Sequence, residues 1–410
     1  MIQISNIFSS QDKTYKIFYF STFLTNTAIW MQRITLDWYS LEITGSPKAL
    51  GVLTAVQFLP SFIFSLLGGR LADKYNKAYI LTLLTLLMGL LSFATGYLIY
   101  SGNLPYATLI LVALIGGVIT ALDGPMRLSH ITDLIGNGEV SKGVGLNSVN
   151  SNLGRLIGPL IAGFVAHSAS NSYSVLFMVS SLFIISSILI WFFKKPIDTE
   201  IDVNSKTSPG TIRAGLSHLR SKPDSLIALV SVFIIAFFAM HFPTTIALMS
   251  REEFKIDIRY FGLLSSSIAF GYVFGGVLLA RRNSSLTLEN LMRNVLLFSV
   301  ILSITSISPN VQVFAVLVFF CGVAGSNMVG SFNAYVQNNC DFAYRGRVLG
   351  VYLSCFTAGT TFGVLLVGYE AQVFGPRFPL YIGALIALIL SMFVFRYKAM
   401  IRNYLELKNI

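Results

Sequence analysis

Charge is scarce in this chain. Asp, Glu, Lys and Arg make up 11% of its residues, against roughly a quarter in an average soluble domain. A water-soluble protein of 410 residues needs a charged surface, and the residues to build one are missing. Cysteine is nearly absent too. Cys321, Cys340 and Cys355 show no metal-ligand spacing and carry no disulfide framework. No G-x-x-x-x-G-K-[ST] loop occurs, which excludes P-loop ATP hydrolysis on this chain. H-E-x-x-H and a nucleophile elbow are also missing. The chain therefore reads as a non-enzyme with no cofactor and no metal. A cleavable signal is not expected, because the first apolar run is too long for one.

What the chain has is long apolar runs. Hydrophobic residues make up 54% and the mean hydropathy is +0.70. A spanning helix takes about 20 mostly apolar residues. Twelve runs qualify: 15–41, 48–70, 77–100, 105–127, 139–167, 173–194, 223–250, 258–281, 285–307, 311–337, 345–371 and 376–398. In a bilayer the backbone must satisfy its own hydrogen bonds, so the expected elements are helices. The fold class is an all-α membrane protein with twelve transmembrane helices. A polar gap at 195–222 divides it into two six-helix halves, 1–194 and 223–410, joined by a linker. That layout is common in transporters made of two repeats.

The net charge of +11 does not point to nucleic acid, because its basic residues are scattered through short gaps rather than gathered on one face. Lys48, Arg251, Lys255, Arg259 and Arg377 fall in one set of gaps, and Arg33 and Arg155 fall inside spans. The other 22 of the 29 Lys and Arg lie at the termini and in the alternate gaps. The positive-inside rule then puts both termini in the cytoplasm.

Residues 66–80 read LLGGRLADKYNKAYI. They are expected to form the cytoplasmic turn between the second and third spans. Gly69, Asp73, Lys74 and Lys77 resemble motif A of the major facilitator superfamily, G-x-L-A-D-[RK]-x-x-[RK]. Ala78 stands where a second terminal basic residue is usual. Upstream, Trp38 and the run Thr44-Gly45-Ser46-Pro47, with GPMRLSHITDL at 124–134, GLNSVNSNLGRLIGPLIAG at 145–163 and YRGRVLGVY at 344–352, is similar to the transmembrane secretion effector branch of that superfamily. The branch includes enterobactin-exporter-like and macrolide-efflux-like proteins. Gly154, Gly158, Pro159 and Gly163 resemble motif C of the facilitator antiporters. From Gly275, GGVLLARRN looks like a faded copy of motif A in the second half. The resemblance implies the major facilitator fold, two halves with pseudo-two-fold symmetry, and proton-coupled export.

Charges inside a membrane are costly and mark functional positions. The first span carries Asn26, Gln32, Arg33 and Asp37. Arg33 and Asp37 are four apart and can pair on one helix face. Asp37 either carries the coupling proton or merely neutralises Arg33 near the outer interface. Arg155 either attracts an anionic substrate or satisfies an acid or backbone carbonyls. Asn327 and Asn333 make the tenth span polar on one side. Asp123 and Arg127 can pair at the inner end of the fourth. His241 reads as a packing histidine, with a kink expected at Pro243.

The expected protein is a secondary transporter in the bacterial cytoplasmic membrane, monomeric, exporting a siderophore or hydrophobic drug with protons as coupling ion. An importer of a siderophore or lysophospholipid, and a non-transporting sensor, stay open as alternatives. No partner other than the small molecule, protons and the bilayer is expected.

Overall fold

The structure, a computed structural model, describes residues 13–135, 140–192, 216, 217, 219, 222–281, 286–341 and 344–408. The side chains of 65–70, 72–74, 140–142 and 401–408 lie outside that description. The described residues form helices and short links. They are α1 (Lys13–Thr44), α2 (Pro47–Lys74), α3 (Lys77–Tyr100), α4 (Tyr106–Ile135), α5 (Val140–Ala169) and α6 (Tyr173–Phe192). Then come α7 (Pro223–Ala239), α8 (Phe242–Leu248), α9 (Ile258–Ala280), α10 (Leu288–Ser306), α11 (Val311–Asn338), α12 (Arg345–Phe374) and α13 (Phe378–Lys408). Among the described residues, ten spans are long and apolar enough to cross a membrane, α7 and α8 counting as one. The two that fall short in apolarity are α1 and α5, at 32 and 30 residues. They are the helices that carry Asn26, Arg33, Asp37 and Arg155.

The T-G-S-P run is a helix stop followed by a helix start. Gly45 takes φ +56°, the left-handed region that glycine enters without strain. The Ser46 side chain accepts from Ala49 N at 3.3 Å, and Pro47 opens α2. Two expectations need correction. Residues 66–80 are not a turn. Helix α2 continues to Lys74, and only Tyr75 and Asn76 separate it from α3. Asn76 caps α3 by accepting from Tyr79 N at 3.1 Å, so two residues suffice for the reversal. The seventh span is broken rather than kinked. Met240 and His241 leave helical geometry, and α8 restarts with Pro243 in its first turn. Phe237 O, which the His241 amide would take in an unbroken helix, is instead taken by His241 Nε2 at 3.1 Å. Thr245 Oγ1 donates to His241 O at 3.1 Å. His241 O also accepts from Thr245 N at 3.1 Å, so the helix pattern resumes there, and at Phe237 O a side chain stands in for the lost backbone bond, as a membrane interior demands.

The helices gather into two units. One holds α1, most of α2, α3 to α6 and the first turns of α9. The other holds Leu50–Ala55 of α2, the remainder of α9, α7, α8 and α10 to α13. In the first, α1 packs on α5 and α3 on α6. Gly117 of α4 faces Gln57 O and Pro60 of α2. In the second, α7 packs on α12 and α10 on α13. Gly322 of α11 faces Ile268 O and Gly271 of α9. Counting spans from the start of each half, first meets fifth, second meets fourth and third meets sixth. The duplication faintly visible at Gly275 is therefore plain in the packing.

Candidate functional site

The two polar helices pack on each other because α5 presents small residues to α1. A Cβ at Gly154 would lie 2.7 Å from Asn26 Cβ. One at Gly158 would lie 2.8 Å from Thr27 O and 2.9 Å from Trp30 Cβ. Backbone this close needs glycine. Polar side chains then tie the seam. Asn26 Nδ2 donates to Asn150 Oδ1 at 3.1 Å, and Asn150 Nδ2 donates to Tyr19 O at 2.9 Å. A first prediction follows from the seam. Gly158→Val overpacks it and costs about 1–3 kcal/mol, read as a lower melting temperature in detergent.

This seam sets Arg155 beside Arg33. The Arg155 guanidinium lies 4.8 Å from the Trp30 ring centroid, and that of Arg33 lies 5.3 Å from the same ring and 4.4 Å from Phe58. One indole thus serves two cations, and its negative face offsets part of their repulsion. Asp37 attracts Arg33 while Arg155 repels it. Asp37, 3% exposed, accepts a hydrogen bond from Gln57 Nε2 at 2.9 Å. Arg33 and Arg155 are only half-buried. Two adjacent guanidiniums suit a planar carboxylate. The buried carboxylate beside them can hold a proton.

Those residues sit in a chain that matches one family profile, described as transmembrane secretion effector, over residues 5–407 of its 410. The chain belongs to the transmembrane secretion effector family, within the major facilitator superfamily. It is 22% identical to a staphyloferrin A transporter of Staphylococcus aureus over 362 residues, covering 88% of this chain and 90% of that one. It is 31% identical to the quinolone resistance protein NorA of S. aureus over 157 residues, which is 38% of this chain and 39% of NorA. Among solved structures, a bacterial homologue of the human lysosomal transporter Spinster matches with a TM-score of 0.77 at 14% identity, over 94% of this chain and 97% of that chain. The nucleoside transporter NupG matches with a TM-score of 0.73 at 13% identity, over 95% and 99%. The fold is the major facilitator fold.

The other positions of this effector-family chain divide as follows. Asn26, Arg33, Asp37 and Arg155 all fall in the first unit. Asn327 and Asn333 fall in the second. Asn327 Nδ2 donates to Gly275 O and Val323 O, both at 3.0 Å, which pins α11 to α9. Asn333 Oδ1 accepts from Gln337 Nε2 at 2.5 Å. The remaining motif C positions face the start of α9: a Cβ at Gly163 would lie 3.0 Å from Ile258 O, and Pro159 O faces Gly262. Of motif A, Gly69, Asp73 and Lys74 lie on the last turns of α2, and their side chains lie outside the described residues. Lys77 Nζ is 2.5 Å from Asp133 Oδ2.

The Asp123–Arg127 pair forms, with Arg127 Nη2 to Asp123 Oδ1 and Nε to Oδ2 both at 2.8 Å. Gln57, Trp30 and Asn150 were not singled out in the sequence. Gln57 carries a usable signal, a lone amide in the apolar run LTAVQFLPSF. Trp30 announces Arg33, three residues on along the same helix, but nothing near it announces Arg155 of α5.

Proposed function

We propose that this protein is a proton-coupled exporter of a small anionic molecule across the bacterial cytoplasmic membrane. The observation that carries this reading is the pair of guanidiniums on Trp30 with Asp37 buried alongside. Arg33 and Arg155 receive the anion, and Asp37 carries the proton. The 22%-identical staphyloferrin A transporter supports a siderophore substrate, and the shorter match to NorA supports outward transport of drugs. Two arginines favour the siderophore. The halves 1–194 and 223–410 rock about the linker 195–222, with both termini in the cytoplasm as the Lys and Arg bias argues. Gly69, Asp73, Lys74 and Lys77 hold the inner gate, and Asn327 and Asn333 line the path from the second half. The protein works as a monomer.

Equilibrium binding in lipid nanodiscs tests the ligand class. An iron-free carboxylate siderophore is expected to bind, and Arg155→Leu to weaken it about 10-fold or more, the worth of one charge-assisted hydrogen bond. Binding of a macrolide alone, unchanged in Arg155→Leu, would contradict the anionic reading. A siderophore carried only into intact cells would replace the exporter with an importer.

A further inference from the structure

A small, partly open cavity lies in the first unit, lined by α1, α2, α3 and α4. Its volume is about 20 Å3, the room of a single water. Ile29, Leu36, Met88 and Val112 make much of its wall apolar. Gln32, Arg33 and Gln57 interrupt that wall. Gln32 and Gln57 are each 4% exposed. Their carbonyl oxygens, Gln32 Oε1 and Gln57 Oε1, are buried and have no hydrogen-bond partner in the protein. Leaving one buried acceptor unmade is costly. Gln32 and Gln57 both line this cavity and each leaves one acceptor unmade, and with Arg33 in the same lining they match the bonding capacity of one water. It donates to each carbonyl and accepts from Arg33, within the two to four bonds that buried waters make.

The other end of Gln57 meets Asp37, with Nε2 donating to Oδ1 at 2.9 Å. An ionised carboxylate only accepts, so Gln57 must show it the NH2 and turn its carbonyl to the cavity. A protonated carboxyl can donate. Gln57 turned over then offers Oε1 to Asp37 and its NH2 to the cavity. The cavity loses one acceptor and gains a donor that competes with Arg33 for the water. Asp37 and Arg33 face the site from α1. The described lining from α2, α3 and α4 carries no titratable group, and Arg155 of α5, which shares the Trp30 ring with Arg33, repels Arg33.

We propose that this cavity is a water site, and that Gln57 together with its water is the positioning device linking Asp37 to Arg33. The proposal rests on the reading of Asp37 as the proton-carrying group. Its consequence is that loading Asp37 with a proton reorients the hydrogen bonds of Arg33, and so its readiness for an anion, without any helix moving.

Infrared difference spectroscopy on the full chain in nanodiscs tests it, with Asp37→Asn identifying the Asp37 carboxyl band. Gln57→Met removes the amide that favours the ionised form, so the band is expected at about 10-fold lower proton concentration. Gln32→Met never touches Asp37, yet it is expected to shift the band the same way by about threefold, because it unmakes the water's other bond. A shift in Gln57→Met alone would overturn the water link, and no shift in either would overturn the whole proposal. If either variant fails to fold, the wild type decides. An O–H stretch that moves on exchange into H2(18O) and changes as Asp37 titrates supports the water, and its absence overturns it. An Asp37 band that never titrates in the wild type would instead remove the proton-carrier reading beneath.

Discussion

Asp37→Asn is expected to end gradient-driven accumulation while leaving substrate exchange intact. Asparagine keeps the size of aspartate, and its Oδ1 can still accept from Gln57 Nε2, so the packing of α1 on α2 survives. What it removes is the one group in the cluster of Arg33, Arg155 and Gln57 that can gain and lose a proton. If one proton leaves for each substrate carried, a gradient of one pH unit supports about a 10-fold concentration ratio. The variant should equilibrate at a ratio of about 1. Exchange of labelled for unlabelled siderophore across proteoliposomes needs no proton and should continue. Loss of both activities would make Asp37 a structural group, and retention of both would exclude it from coupling.

Arg127→Met is expected to cost about 3–5 kcal/mol, the penalty for leaving one member of a buried ion pair alone. Arg127 and Asp123 are 4% and 7% exposed. The guanidinium makes two bonds to Asp123 and reaches two further helices, donating to Thr22 Oγ1 of α1 at 3.3 Å and Thr85 Oγ1 of α3 at 3.2 Å. It therefore joins three helices at one point. The double replacement Asp123→Leu with Arg127→Met should recover most of the loss, because no charge is then stranded. Monodisperse yield and melting temperature in detergent measure both. A single variant as stable as the wild type would show that the pair is solvated.

The helices and their order were legible because a bilayer asks each crossing helix for about 20 mostly apolar residues, a demand that ten of the described spans meet and the polar α1 and α5 do not. What was hidden follows from the same physics. Helix α2 runs through Arg70 and Asp73 to Lys74, because charge at a helix end in water does not stop a helix. Pro243 announced a distortion of the seventh span, but that it becomes a break at Met240–His241, with the imidazole taking Phe237 O, is not written in the local pattern. In the site, Asn26, Arg33, Asp37 and Arg155 stood out as polar residues in apolar surroundings. That Arg33 and Arg155 share Trp30 depends on Gly154 and Gly158 letting α5 close onto α1. Spacing within one helix cannot show a contact between two. Gln57 could have been found by the rule that picked Asn26, since its only distinction is an amide among apolar neighbours.

The central claim is that substrate leaving the cytoplasm is exchanged for a proton held at Asp37. Inside-out vesicles with a pH-sensitive dye in the lumen, and no imposed gradient, test it most directly when an iron-free carboxylate siderophore is added outside. The account predicts that the lumen turns alkaline as the siderophore enters, and that Asp37→Asn abolishes the change. A lumen that turns acid with entry, or siderophore entry with no change in pH, would contradict it.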